Sequence, residues 1–170
     1  MTNFSSGDYL FLTHLDEYNE DLIGGDQVRA LIEDFPGDVY LVNEFPEDHE
    51  DFEKQVPGEE LLSEENLLQT IVGLGEPRTV PVPSPKTVYF GGFNMPECLS
   101  NTVDKASDFY GEESNYAVLK DYTIHGFETL EEKMGDEEAA TLDELVERGI
   151  LEEEDVSRYP PSCRVVASGI

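Results

Sequence analysis

Cys98 is the residue whose surroundings could give it chemistry. It follows the run Thr87-Val88-Tyr89-Phe90-Gly91-Gly92-Phe93-Asn94-Met95-Pro96-Glu97 and precedes Leu99, Val103, Ala106 and Tyr110, which recur at helical spacing. The β-branched and aromatic run predicts a strand, the paired glycines a tight turn, and the periodic residues a helix. Cys98 then falls at a helix N-terminus, where unpaired N–H groups and the helix dipole favour the thiolate, the nucleophilic form. The same N–H groups can hold the oxyanion that forms when a thiolate attacks a carbonyl carbon. The neighbouring Glu97 opposes this, because a carboxylate disfavours a second negative charge beside it. A lone cysteine ahead of an apolar helix face equally fits a small buried hydrophobe.

The elements needed to position Cys98 are legible on both sides of it. Tyr9 to Thr13 is an apolar run of the kind buried on both faces in a parallel sheet, and it exits through His14, Asp16, Tyr18 and Asn19. Gly24-Gly25-Asp26 opens a helix carrying Val28, Leu31, Ile32 and Phe35, closed by Pro36-Gly37, and Asp38 to Val42 is a second strand. Strand, helix and strand with short connections predict a βαβ unit, hence a parallel sheet with helices on its faces. Ser63 to Val72 is expected to be helical and Gly73 to Pro85 an extended, Pro-rich connection. Tyr116 to Leu119 reads as a strand ending at Lys120-Asp121, and Gly126 to Met134 as a short helix. Thr141 and Glu144 have the spacing of a capping box, with Gly149 as the stop of that helix. Its Leu142, Leu145 and Val146 form an apolar stripe for the parent sheet or for a second subunit. Glu152 to Asp155 is expected to be a solvated acidic run. The fold expected is a single α/β domain over residues 1–158, a three-layer sandwich with a mainly parallel sheet flanked by helices. Residues 159–170 would follow as a C-terminal arm on a partner or as an edge strand.

The run Val88 to Val103 resembles the active-site segment of the isochorismatase-like cysteine hydrolases, the superfamily that includes nicotinamidases. Their pattern is an apolar strand, a Gly, the nucleophilic Cys six residues later, an aliphatic residue, and a Thr four after the Cys; Gly92, Cys98, Leu99 and Thr102 fit it. The similarity continues through Tyr116 to Asp121, His125, Leu130 to Met134, and Thr141 to Leu145. The resemblance implies an isochorismatase-like, Rossmann-like topology and hydrolysis of a small amide or related acyl compound. It also implies Cys98 as nucleophile, Asp16 as the acid that orients the chemistry, and the backbone N–H groups of Asn94 and Cys98 as oxyanion donors. Asn19 resembles the Asn that often follows the family's Asp. The family's catalytic Lys lies on a strand ahead of the nucleophile, where this chain offers Lys54 and Lys86. Lys54 is the candidate, because Lys86 precedes the nucleophile strand at the end opposite to where such sites gather. Asn43 to Phe52 resembles the family's metal-binding segment, but Phe45 occupies the first His position and Asp51 replaces a Ser. His49 alone among acids is an incomplete site, so neither metal nor cofactor is expected. The alternative is an inactive protein of the same fold, serving as a structural or interaction subunit of a halophilic archaeal or viral assembly, as a homo-oligomer or in a larger complex.

Composition bounds both readings. The chain of 170 residues carries 39 Asp and Glu against 10 Lys and Arg, a formal net charge of −29. The acids run from Asp8 to Asp155 without forming one block, and no basic patch is present to neutralise phosphates, which excludes direct nucleic-acid binding. A mimic of nucleic acid would need its acids on one face, and these cover every polar face. Two cysteines provide no disulfide framework, and no segment approaches the roughly 18 apolar residues of a membrane span. The expected location is a salt-rich cytoplasm, or a virion under the alternative. Self-repulsion of this size is relieved only by close screening, with a Debye length of about 3 Å at 1 M salt. Partial unfolding is therefore expected below about 0.5 M salt, read by circular dichroism across a salt titration. A cooperative fold that persists at low ionic strength would remove the halophilic assignment.

Overall fold

The computed structural model describes residues 2–14, 23–42, 61–62 and 85–170. The strands are β1 (Tyr9–Thr13), β2 (Asp38–Val42), β3 (Leu61–Leu62), β4 (Thr87–Gly92), β5 (Asn115–His125), β6 (Glu128–Thr129) and β7 (Arg164–Val166). The helices are α1 (Gly25–Asp34), α2 (Cys98–Tyr110), α3 (Leu130–Met134), α4 (Leu142–Glu147) and α5 (Glu153–Val156). Six strands form a parallel sheet in the order β3-β2-β1-β4-β5-β7, and β6 pairs antiparallel with the end of β5.

The period of two along each strand divides the core into two layers. On one face Leu10, Leu12, Val39, Tyr89, Ala117 and Leu119 pack with Val28, Leu31 and Ile32 of α1. On the other, Tyr9, Phe11, Tyr40, Val88 and Phe90 pack with Leu99, Val103, Ala106 and Tyr110 of α2. The chain is thus an α/β sandwich of three layers. An aromatic row crosses four strands on the α2 face: ring centroids are 5.2 Å apart for Phe11 and Tyr40, 5.9 Å for Phe11 and Phe90, and 6.5 Å for Phe90 and Tyr116. Each such pair adds about 0.5–1.5 kcal/mol beyond its burial, and the row ties strands that are distant in sequence.

β1, α1 and β2 form where the apolar periodicity places them. Four other expectations are corrected. β5 does not end at Leu119: its pairing with β4 shifts from Phe90↔Val118 to Gly92↔Thr123, and the extra residues bulge out before the strand resumes to His125. Asp121, expected at the strand terminus, instead lies in the bulge, where its carboxylate accepts from the Ser168 N–H at 3.0 Å and from the Ser168 hydroxyl. Gly126 to Thr129 forms a turn and β6 instead of helix, and α3 begins at Leu130 under a full capping box of Thr129 and Glu132. In the Thr141 box only half closes as spaced: Thr141 Oγ1 accepts from the Glu144 N–H at 3.3 Å, while Glu144 Oε2 reaches the Ala140 N–H at 2.8 Å.

Val165, with Val166 beside it, is the centre of β7, parallel to β5, so the C-terminal apolar run forms an edge strand of this sheet. Its outer side is occupied in turn, because the Val165 N–H donates to Ala140 O at 2.9 Å. The stripe of Leu142, Leu145 and Val146 packs on the parent core. The helix expected over Ser63 to Val72, and all but Pro85 of the following connection, lie outside the described residues.

At the end of β4 the space beside Gly91 is tight and glycine is required at Gly92. A Cβ on Gly91 would stand 3.0 Å from Tyr122 O, which the bulge of β5 brings close. Gly92 has φ 126°, and a Cβ there would lie 2.0 Å from Thr13 O of β1. Gly92→Ala is expected to cost about 3 kcal/mol or more, since it combines a disfavoured backbone with a clash against main chain. Chemical denaturation in high salt measures it, and a variant as stable as the parent would refute the close approach.

Candidate active site

In open α/β sheets, ligands bind outside the carboxyl ends of the strands, at the point where strand order reverses. Here the chain runs outward from β1 to β2 and β3, then returns to place β4 on the other side of β1, so the reversal lies between β1 and β4. Those two strands end at Thr13 and Gly92, which are register partners. The turn from β4 into α2 delivers Cys98 to this edge as the first residue of a 13-residue helix.

The turn is held by its backbone. The Phe93 N–H donates to Thr13 O at 2.8 Å, and the Met95 N–H donates to Ile124 O at 2.9 Å. The Asn94 carbonyl accepts from the N–H groups of Glu97 at 3.0 Å and Leu99 at 3.2 Å, so Asn94 and Cys98 belong to one tight turn. The Asn94 side chain is engaged as well, its Oδ1 accepting from the Gly126 N–H at 3.1 Å. The Phe93–Asn94 peptide bond is cis. Thr102, one turn into the helix, donates to the Cys98 carbonyl and accepts from Thr13 Oγ1, both at 3.2 Å. A Thr four residues after the Cys thus joins the end of β1 to the first residue of α2.

Cys98 is half-buried and opens onto a crevice of about 490 Å³ lined by Glu97, Asn101, Glu154, Ser157 and Arg158. Arg158, in a chain so short of cations, forms no ion pair among the described residues. Asn101 lies one helical turn from Cys98 on α2, whereas Ser157 and Arg158 carry no signal in the sequence, because α5 and the residues after it reach Cys98 only through the packing of the C-terminal segment. The acidic run at Glu152 to Asp155 is not uniformly solvated: Asp155 is partly buried, with Oδ1 3.2 Å from His125 Nε2 and Oδ2 accepting from the Glu152 N–H at 2.9 Å.

The structure brings Cys98 and Asn94 together. Asp16, Asn19, His49 and Lys54 lie outside the described residues. Lys86 immediately precedes β4, at the opposite end of the sheet from Cys98. Among the described residues no group of three or more His, Cys, Asp or Glu side chains is arranged to hold a metal ion, and no helix is long and apolar enough to cross a membrane. No protein-family model, curated protein or solved structure matches this chain.

The second thiol has a different environment. Cys163 is fully buried, and burial pushes its thiol up to about 12. It therefore stays almost wholly protonated through pH 10, and its alkylation in the folded protein is expected to remain far slower than that of glutathione from pH 7 to about pH 10. Mass spectrometry of iodoacetamide-treated protein in high salt checks this. A rate at Cys163 that matches glutathione's in that range would contradict its burial.

Proposed function

We propose that the chain is a cysteine hydrolase acting on a small amide or related acyl compound, with Cys98 as its nucleophile. The observation that carries this is the placement of a half-exposed thiol on the first residue of α2, at the carboxyl edge between β1 and β4, facing an open crevice. A helix N-terminus offers its first N–H groups to an anion, which suits both a thiolate and the oxyanion formed after attack.

In this reading the Cys98 sulfur attacks the acyl carbon, and the carbonyl electron pair moves onto oxygen. The N–H groups of Asn94 and Cys98 are the proposed donors to that oxyanion. Collapse breaks the C–N bond, the nitrogen leaves with a proton, and a thioester to Cys98 remains. Water then attacks the thioester, releasing the carboxylic acid and regenerating the thiol. Asp16 is proposed as the orienting acid and Lys54 as the group that moves the proton, both on the resemblance alone.

Two measurements test the proposal together. Cys98 is expected to alkylate faster than glutathione at neutral pH in high salt; glutathione is the reference because Cys163 is buried and slow in any case. A screen of small amides is expected to find a hydrolysis that Cys98→Ser lowers by about a thousandfold or more. A Cys98 rate at or below that of glutathione, with no amide turned over, would leave the fold a scaffold without this chemistry and return the search to binding partners.

A further inference from the structure

The turn that presents Cys98 is gripped from two directions. One grip comes from the end of β5: Ile124 O accepts from the Met95 N–H at 2.9 Å, and the Gly126 N–H donates to Asn94 Oδ1 at 3.1 Å. The other comes from the C-terminal segment: the buried Tyr159 hydroxyl donates to Met95 O at 2.7 Å, across 64 residues of sequence. Burial pushes the Tyr159 phenol well above its usual range, with the nearby Cys163 and Asp155 adding to the effect, so it remains a donor at any physiological pH. The two grips are themselves joined, because His125, between Ile124 and Gly126, sits 3.2 Å from Asp155 on α5, and the Tyr159 N–H donates to Val156 O at 3.0 Å. The end of β5, the turn, and the segment from α5 to Tyr159 therefore close a ring of contacts.

We propose that Tyr159 is a positioning residue for Cys98, fixing the turn through the Met95 carbonyl, with the His125 and Asp155 pair completing the ring. The purpose of that rigidity rests on the hydrolase reading: a sulfur and its oxyanion donors act together only if the turn carrying both keeps one geometry. A residue needed only to fill the core could equally be Phe, so the hydroxyl is what distinguishes positioning from packing. Asp155 serves the ring while also capping α5, and an Asn in its place keeps an oxygen for the Glu152 N–H but removes the charge beside His125.

The test compares the full chain with Tyr159→Phe and Asp155→Asn in high salt, reading the carbonyl carbon shift of Met95 by NMR and the alkylation rates of both thiols. Tyr159→Phe is expected to shift the Met95 carbonyl signal and to change the Cys98 rate by about fivefold, the effect of one lost neutral hydrogen bond, and Asp155→Asn to move both readings in the same direction, while Cys163 stays unreactive. That last reading separates loosening of the turn from general opening of the core. An unchanged Met95 signal and Cys98 rate in either variant would overturn the ring, and Asp155→Asn decides the matter if Tyr159→Phe fails to fold. A wild-type Cys98 no faster than glutathione would sink the hydrolase reading, while the Met95 signal would still report on the ring.

Discussion

β1 and β4 approach each other at their carboxyl ends so closely that the path of the chain beyond them is set there. Gly92 brings its Cα against Thr13 O so closely that no side chain fits, and the Phe93 N–H closes onto the same oxygen. That contact fixes the direction in which the chain leaves the sheet. With it fixed, α2 lies over the aromatic row on one face, Met95 is buried without exposure, and Cys98 points from the sheet edge into the crevice. Thr13 then serves twice, its carbonyl receiving the turn and its hydroxyl reaching Thr102 on the helix.

A chain with so few cations must find other partners for its carboxylates. Asp8, Asp121, Glu132, Glu144 and Asp155 each accept a backbone N–H, from Ser5, Ser168, Thr129, Ala140 and Glu152 respectively. All but the Asp121 bond, which ties the bulge of β5 to the tail, close turns and helix starts, where unpaired N–H groups favour negative charge and need no cation. The ion pairs that do form, such as Lys120 with Glu131 and Arg148 with Glu137, lie at or near the surface and contribute little each. The acids thus carry local structure at element ends, while repulsion among the remainder is left to the solvent to screen.

The C-terminal segment links this local order to the candidate site. Tyr159 and Cys163 are core residues, β7 adds a strand beside β5, and Asp121 in the bulge of β5 receives Ser168. The bulge that interrupts β5 therefore anchors the tail, and the tail places α5 and Arg158 against Cys98. The walls of the crevice come from residues 96–101 and 154–158, two stretches joined only by the fold.

The layers were legible from the residues alone. Leu10, Phe11 and Leu12, or Val88, Tyr89 and Phe90, alternate between two apolar faces and admit no exposed side, and Val28, Leu31 and Ile32 repeat at a helical period, so a buried parallel sheet between helices follows from hydrophobicity and periodicity alone. Cys98 at the start of α2 was legible for the same reason, being set by a strand stop and a helix start a few residues apart. The bulge of β5 was not legible, because Leu119, Lys120, Asp121 and Tyr122 extend a strand-like run whose slip is decided by pairing with Phe90 and Gly92. Nor were Asp155 and Tyr159, since an acid in an acidic run and a single aromatic beyond it acquire roles only when His125 and Met95 are brought beside them. Local periodicity reports which face a residue buries; which distant residue shares that face is decided by the packing of the whole chain.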